Sequence, residues 1–366
     1  MPSAVSARLP VFPWDRLEPY KATASAHPDG IVDLSVGTPV DPVPELVQRA
    51  LAGAADSPGY PTVWGTPALR DAIVAWVTGR TGAVGLAHRG VLPVIGSKEL
   101  VASVPAQLGL GPGDRVAYPE PAYPTYEVGA RLARAEPVPY RGSPTELDPR
   151  GLRLLWLNSP ANPTGRVLDV AELRAIVAWA REHGVLVLSD ECYLELGWEA
   201  EPVSVLNPDV CGDSHEGLVA VHSLSKRSNL AGYRAAFLAG DPAVIGELLG
   251  VRKHSGMMLP APVQAAMAVA LGDREHVVEQ RARYAARREA LRTALTARGF
   301  TIAHSEASLY LWATRDEPCW DTVAELSKLG ILVAPGDFYG AAGDRFVRVA
   351  FTATDERVAG AVARLA

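Results

Sequence analysis

The segment Ser223-Leu224-Ser225-Lys226 closes a short apolar run, and eight residues past the lysine the chain reaches Arg234. A lysine flanked by hydroxyls and followed by an arginine suits two tasks at once. Its amine attacks a carbonyl to form an imine, provided that burial or cationic neighbours keep it partly deprotonated. The arginine fork and the hydroxyls of Ser223 and Ser225 can hold a phosphate dianion. A lysine that merely faces solvent at a strand end carries the same local sequence, so this segment alone leaves both possibilities open.

Other segments also set polar side chains just after apolar runs. In Asn158-Ser-Pro-Ala-Asn162-Pro163-Thr164-Gly165 the turn dipeptides describe a tight strand-to-helix connection, or an amide aimed into a cleft. Asp190, in Ser189-Asp190-Glu191-Cys192-Tyr193, stands where doubly wound folds bind ligands, although an acidic residue there also caps helices. Gly96-Ser97-Lys98 opens a helix whose free N–H groups favour an anion. Tyr123, among prolines between Tyr118 and Tyr126, offers a flat face to a planar ring or to ordinary loop packing.

These residues need elements to hold them. Val91–Ile95, Arg115–Tyr118, Leu152–Leu157, Val185–Leu188, Leu218–His222 and Ala235–Leu238 are short apolar runs bounded by Gly, Pro or Asp. Helical spacing marks Pro44–Ala55, Pro67–Val77, Lys98–Gln107, Tyr126–Ala133 and Val170–His183. Alternation of strand and helix with near-continuous apolar strands predicts an α/β fold, a mostly parallel sheet covered on both faces. After Gly240 the composition changes. A long charged helix is expected over Asp273–Arg298, then strands at Leu309–Trp312 and Phe346–Phe351, the pattern of a smaller α+β domain. Such a division creates a cleft, where ligands usually sit.

The chain has 366 residues, 48% apolar and 21% charged, enough for a large core and two to three domains. A net charge of −6 argues against nucleic acid or an anionic membrane surface as the main partner. Cys192, Cys211 and Cys319 are too few and scattered for a disulfide framework or a metal knuckle. They read as free thiols, no metal is expected, and no spanning or signal-like apolar segment is seen. The expected location is the cytoplasm.

In this order and spacing the motifs resemble the pyridoxal-phosphate-dependent aminotransferases of fold type I, class I/II. The resemblance runs from Asp33 to Phe351 and includes Leu34-Ser-Val-Gly37-Thr-Pro39, Tyr60-Pro-Thr-Val-Trp-Gly65, Pro335-Gly336-Asp-Phe-Tyr-Gly340 and Phe346-Val-Arg348-Val. It implies a large domain with a mostly parallel sheet flanked by helices over residues 41–240. Residues 1–40 would form an arm and part of the small domain, and 241–366 a linking helix and the rest of it.

The same resemblance implies pyridoxal 5′-phosphate as cofactor, with amino acid and keto acid substrates. Lys226 would form the imine and then shuttle a proton. Asp190 would pair with the ring nitrogen, Asn162 and Tyr193 with the ring 3-oxygen, and Tyr123 would stack on the ring. Ser97, Lys98, Ser223, Ser225 and Arg234 would hold the phosphate, and Arg348, with Gly37, the substrate α-carboxylate. Tyr60 would reach the neighbouring active site of a homodimer. One departure is Ala236, where the family often has glycine.

For substrate choice, Phe12-Pro-Trp14-Asp15, Val251–Gln264, Glu279–Tyr284 and Ser308–Ala313 resemble the actinobacterial N-succinyldiaminopimelate aminotransferases. That implies exchange between glutamate and N-succinyl-2-amino-6-oxopimelate, a step towards diaminopimelate and lysine. Arg16, Lys21, Arg252, Lys253 and His254 are candidate readers of its far carboxylate. Alternatives are an aminotransferase for aspartate, alanine or a specialised-metabolite precursor, a carbon–sulfur β-lyase, and a non-catalytic sensor.

Overall fold

The computed structural model describes residues 5–366. After a short strand β1 (Val32–Asp33), the chain builds a seven-stranded sheet from β2 (Val91–Ile95), β3 (Arg115–Pro119), β4 (Glu136–Tyr140), β5 (Leu152–Asn158), β6 (Leu186–Asp190), β7 (Leu218–Ser223) and β8 (Ala235–Gly240). Their order is β2-β8-β7-β6-β5-β3-β4. Every pair from β4 across to β7 is parallel, whereas β8 runs antiparallel to both β7 and β2. The sheet is therefore mixed, because the short connection Leu224–Arg234 is too brief for a parallel crossover.

The strand β4 has no counterpart among the expected elements. Pro137 and Pro139 disguise it, and they are tolerated because β4 lies at the sheet edge. Inner strands are buried on both faces, as their unbroken apolar runs require. Leu69, Ile73, Leu173, Ile176 and Met267 pack on one face. Leu100, Val104, Tyr126, Ile245 and Leu248 pack on the other. Helices Pro242–Ser255 and Ala261–Gly272 thus belong to the large sheet, so its unit runs past the expected limit at residue 240.

A second core gathers Tyr284, Leu291 and Leu295 of helix Glu275–Ala297 with a small antiparallel sheet. Its strands are β9 (Thr301–Ala303), β10 (Tyr310–Thr314), β12 (Ala334–Pro335) and β13 (Val347–Ala350), in the order β12-β13-β10-β9. The strand β11 (Ile331–Leu332) pairs in parallel with β1. Within the proline-rich arm, Pro13–Leu17 and Glu18–Ser25 are helical, and Leu17 and Ala24 join this second core. Among the described residues no helix is long and apolar enough to cross a membrane.

Candidate active site

At the carboxyl ends of β5 and β6 Asn158 pairs with Asp190, and Ser223 ends β7 two residues past Val221, the partner of Asp190. Asn158 acts as a clamp. Its Oδ1 accepts from the Asn162 amide at 2.8 Å, and its Nδ2 donates to the carbonyls of Pro160 and Asp190. Asp190 is buried and accepts from the Tyr126 hydroxyl at 2.8 Å and the Cys192 amide at 3.2 Å. Burial raises its carboxyl above the usual range, and those neutral donors only partly oppose the rise. A protonated ring nitrogen is the cationic partner that would complete this environment.

Lys226 follows β7 in the short helix Leu224–Arg227, which Ser223 Oγ caps by accepting from the Ser225 amide at 3.1 Å. Its Nζ donates to the Gly37 carbonyl. Burial lowers its pKa, and the Arg348 and Arg234 cations add to the fall while Tyr310 opposes it. That is the direction an imine-forming amine requires.

The pairing of Ile95 with Ala235, and of Ser223 with Ala236, sets the start of helix Ser97–Gln107 beside both Arg234 and Ser223. Gly96 has φ 93°, and a Cβ there would collide with the Arg234 guanidinium, so only glycine fits. Ala236 lies fully buried within β8, where its methyl is accommodated. Ser97, Lys98, Ser223, Ser225 and Arg234 carry donors of the kind that a phosphate dianion would take; Arg234 also donates to the Ala231 carbonyl and Lys98 Nζ lies over the Phe12 ring. Tyr123 is half-buried, edge-on to Tyr126 with ring centroids 5.9 Å apart. Tyr60 is 98% exposed and free of this cluster.

The opposite wall comes from the small sheet. Arg348 of β13 is only 3% exposed. It donates to Asn162 Oδ1 at 2.9 Å and to the Ser35 carbonyl at 2.7 Å, and its Nε has no protein partner. Its guanidinium stands 4.0 Å above the Tyr310 ring and 4.9 Å from the Tyr339 ring. Tyr310 itself was absent from the expected site. The period-two rule exposes it, because Trp312 pairs with Arg348 and Tyr310 shares that face.

The candidate far-carboxylate readers fare differently. Arg252 is fully buried, 2.9 Å from Glu99 Oε2 and 3.3 Å from Gln107 Oε1 on helix Ser97–Gln107. It is a packing residue behind the sheet, which corrects its assignment as a reader. Arg16 is committed to Asp337 at 2.9 Å and lies over Trp320. Lys21, Lys253 and His254 are exposed.

A lysine, a buried carboxylate, a set of anion donors and a buried arginine near the strand ends are the chemistry that a phosphorylated, nitrogen-containing cofactor and a carboxylate substrate would require. The model of the family "Aminotransferase class I and II" matches residues 29–365, and the chain belongs to that family. It is 60% identical over 357 residues to the 4-dedimethylamino-4-oxo-anhydrotetracycline transaminase OxyQ of Streptomyces rimosus, covering 98% of this chain and 99% of that one. It is 63% identical over 361 residues to a probable aminotransferase of Mycobacterium tuberculosis, covering 99% of this chain and 86% of that one. Among solved structures it is similar to N-succinyldiaminopimelate aminotransferase from M. tuberculosis, with TM-score 0.85, 27% identity, and 96% and 98% of the two chains covered. The chain is therefore a pyridoxal-phosphate-dependent aminotransferase with the α/β architecture of fold type I.

Proposed function

We propose that the enzyme exchanges an amino group between glutamate and N-succinyl-2-amino-6-oxopimelate. The observation that carries the carboxylate chemistry is Arg348, a buried cation whose partners are a side-chain amide oxygen and a backbone carbonyl rather than a carboxylate. It takes the α-carboxylate of each substrate in turn, together with the Gly37 amide. The resemblance of Phe12–Asp15, Val251–Gln264 and Ser308–Ala313 to the succinyl-specific subgroup supports the substrate.

Bound pyridoxal phosphate supplies an electron sink for the charge that develops at the substrate α-carbon. Asp190 keeps the ring nitrogen protonated, and Tyr123 covers the ring face. Asn162 Nδ2 and the Tyr193 hydroxyl donate to the ring 3-oxygen. Ser97, Lys98, Ser223, Ser225 and Arg234 hold the phosphate, and Tyr60 completes that grip from the second subunit of a homodimer. Lys226 would anchor the cofactor at rest and, once displaced, its Nζ would take the proton from the substrate α-carbon and deliver it to the carbon on the other side of the linking nitrogen.

The 60% identity to the tetracycline-pathway transaminase favours a second reading, amination of a large ring ketone. Initial rates with glutamate against N-succinyl-2-amino-6-oxopimelate, a polycyclic ketone and oxaloacetate separate these. A kcat/KM at least about tenfold higher for the succinylated acceptor is expected. A higher value for the polycyclic ketone transfers the assignment to the second reading. Release of pyruvate and ammonia without 2-oxoglutarate would identify a β-lyase instead. In the same assays Lys226→Ala should lose nearly all turnover, and normal turnover in that variant rejects the proposed site.

A further inference from the structure

We infer that Tyr310 is a positioning residue of the transamination site, its hydroxyl orienting that of Tyr193 while its ring carries the Arg348 guanidinium. This deepens the reading above and rests on Tyr193 facing the cofactor's ring oxygen.

Tyr310 is the point where separate segments meet. Its hydroxyl lies 2.9 Å from the Tyr193 hydroxyl, and both side chains are buried. Its ring lies beneath the Arg348 guanidinium at 4.0 Å, a cation–π contact in a dry setting. It also fills the space beside Gly37, where a Cβ would strike the phenol. Gly37 is the residue whose carbonyl receives Lys226 Nζ. One phenol thus touches the arm, the segment after β6 and the small sheet.

Hydrogen-bond direction gives the contact its consequence. Each phenol has one proton, so within the Tyr193–Tyr310 bond only one of the two donates. Burial raises the Tyr310 phenol, but the cations of Arg348 and Lys226, with the Tyr193 hydroxyl, outweigh it and leave it lowered. Burial and the neighbouring Tyr310 raise Tyr193. The remaining groups facing the pair, Cys192, Tyr123 and Tyr339, have pKa values raised by burial and stay neutral. The Arg348 guanidinium, 4.0 Å from the Tyr310 ring, favours Tyr310 as the donor of this bond and Tyr193 as its acceptor. The Tyr193 proton is then free to point into the cleft. Donation in series also polarises the chain and makes Tyr193 the stronger donor.

The test uses the holoenzyme and its Tyr310→Phe, Tyr193→Phe and double variants. Tyr310→Phe keeps the ring beneath Arg348 and removes only the hydroxyl. The midpoint of the pH-dependent absorbance change of the lysine-linked cofactor should rise by about half a pH unit, because the ring oxygen loses a strong donor. The kcat should fall roughly threefold to tenfold, as for one lost hydrogen bond, with KM for glutamate held within about twofold. In the Tyr193→Phe background the further change Tyr310→Phe should add no midpoint shift. An unchanged midpoint in Tyr310→Phe overturns the inference, even if its melting temperature falls, since that marks a purely structural residue. A shift that persists without the Tyr193 hydroxyl also overturns it. Failure of the site assignment is distinct, because it appears as turnover surviving in Lys226→Ala.

Discussion

Two of the buried arginines, one behind the large sheet and one in the cleft, make an instructive pair. Arg252 is 0% exposed and Arg348 3%, and each leaves its Nε without a partner. They differ in the charge they face. Arg252 meets the Glu99 carboxylate, so its charge is compensated within the fold. Arg348 meets an amide oxygen, a backbone carbonyl and two aromatic rings, all neutral. Burying an uncompensated cation is costly, and a fold keeps one where a ligand supplies the counter-charge. The partner's charge, rather than the depth of burial, separates a packing arginine from a binding one.

The sharpest way to break this comparison is Arg348→Lys. The charge stays but the two-point fork is lost. The expected fall in kcat/KM is roughly a hundredfold for glutamate and the acceptor alike, because under the proposed role both would place the same carboxylate there. The melting temperature should hold or rise, since no internal carboxylate is stranded. A loss confined to one substrate would mean that Arg348 reads something other than the shared carboxylate.

Arg252→Ala should do the reverse. Removing one partner of a buried pair strands Glu99 and opens a cavity, for a loss of about 4 kcal/mol in stability. Urea unfolding measures it. Turnover of the molecules that remain folded should stay within about twofold for every substrate, because the site does not touch Arg252. A selective penalty on the succinylated substrate would restore Arg252 as its reader.

The contrast also explains what the sequence could convey. The placement of Lys226, Asp190, Asn162 and Ser97 was legible because each stands at the end of an apolar strand or within a few residues of it, and strand ends can be read from local composition. The role of Arg252 was not, because its partner Glu99 lies 153 residues away and no local pattern encodes that contact. Tyr310 escaped for a related reason: its place depends on the register of β10 against β13. The reversed strand β8 was hidden too, since an apolar run has the same composition in either direction. The strand β4 was lost to its prolines, which are compatible with a strand only at an edge.

Glu191 inverts the case of Arg348, as a buried carboxylate without a cation. It is 2% exposed, and its Oε1 accepts from the Val205 amide at 2.8 Å. Its Oε2 has no hydrogen-bond partner and stands 3.7 Å from Nε2 of buried His222, whose ring nitrogens are also unpartnered. Burial pushes the Glu191 carboxyl up to about 7 and the His222 imidazole down to about 3, so near neutrality the histidine is uncharged and cannot act as counter-ion. The folded pKa of Glu191 exceeds its unfolded value, so the folded state holds the extra proton between the ordinary glutamate range and about pH 7. Its contribution is therefore full at low pH and declines as pH rises through that window. His222, with a lowered folded pKa, has the opposite slope as pH falls below the ordinary histidine range. Glu191→Gln isolates the carboxylate, because the amide keeps an acceptor for Val205 and cannot ionise. Relative to the parent, the variant should gain stability between pH 5 and pH 8, by at most about 3 kcal/mol. Urea unfolding of both proteins at the two pH values measures the gain. An equal stability difference at both would mean that Glu191 titrates alike in the folded and unfolded chains, and that its charge is already compensated as that of Arg252 is.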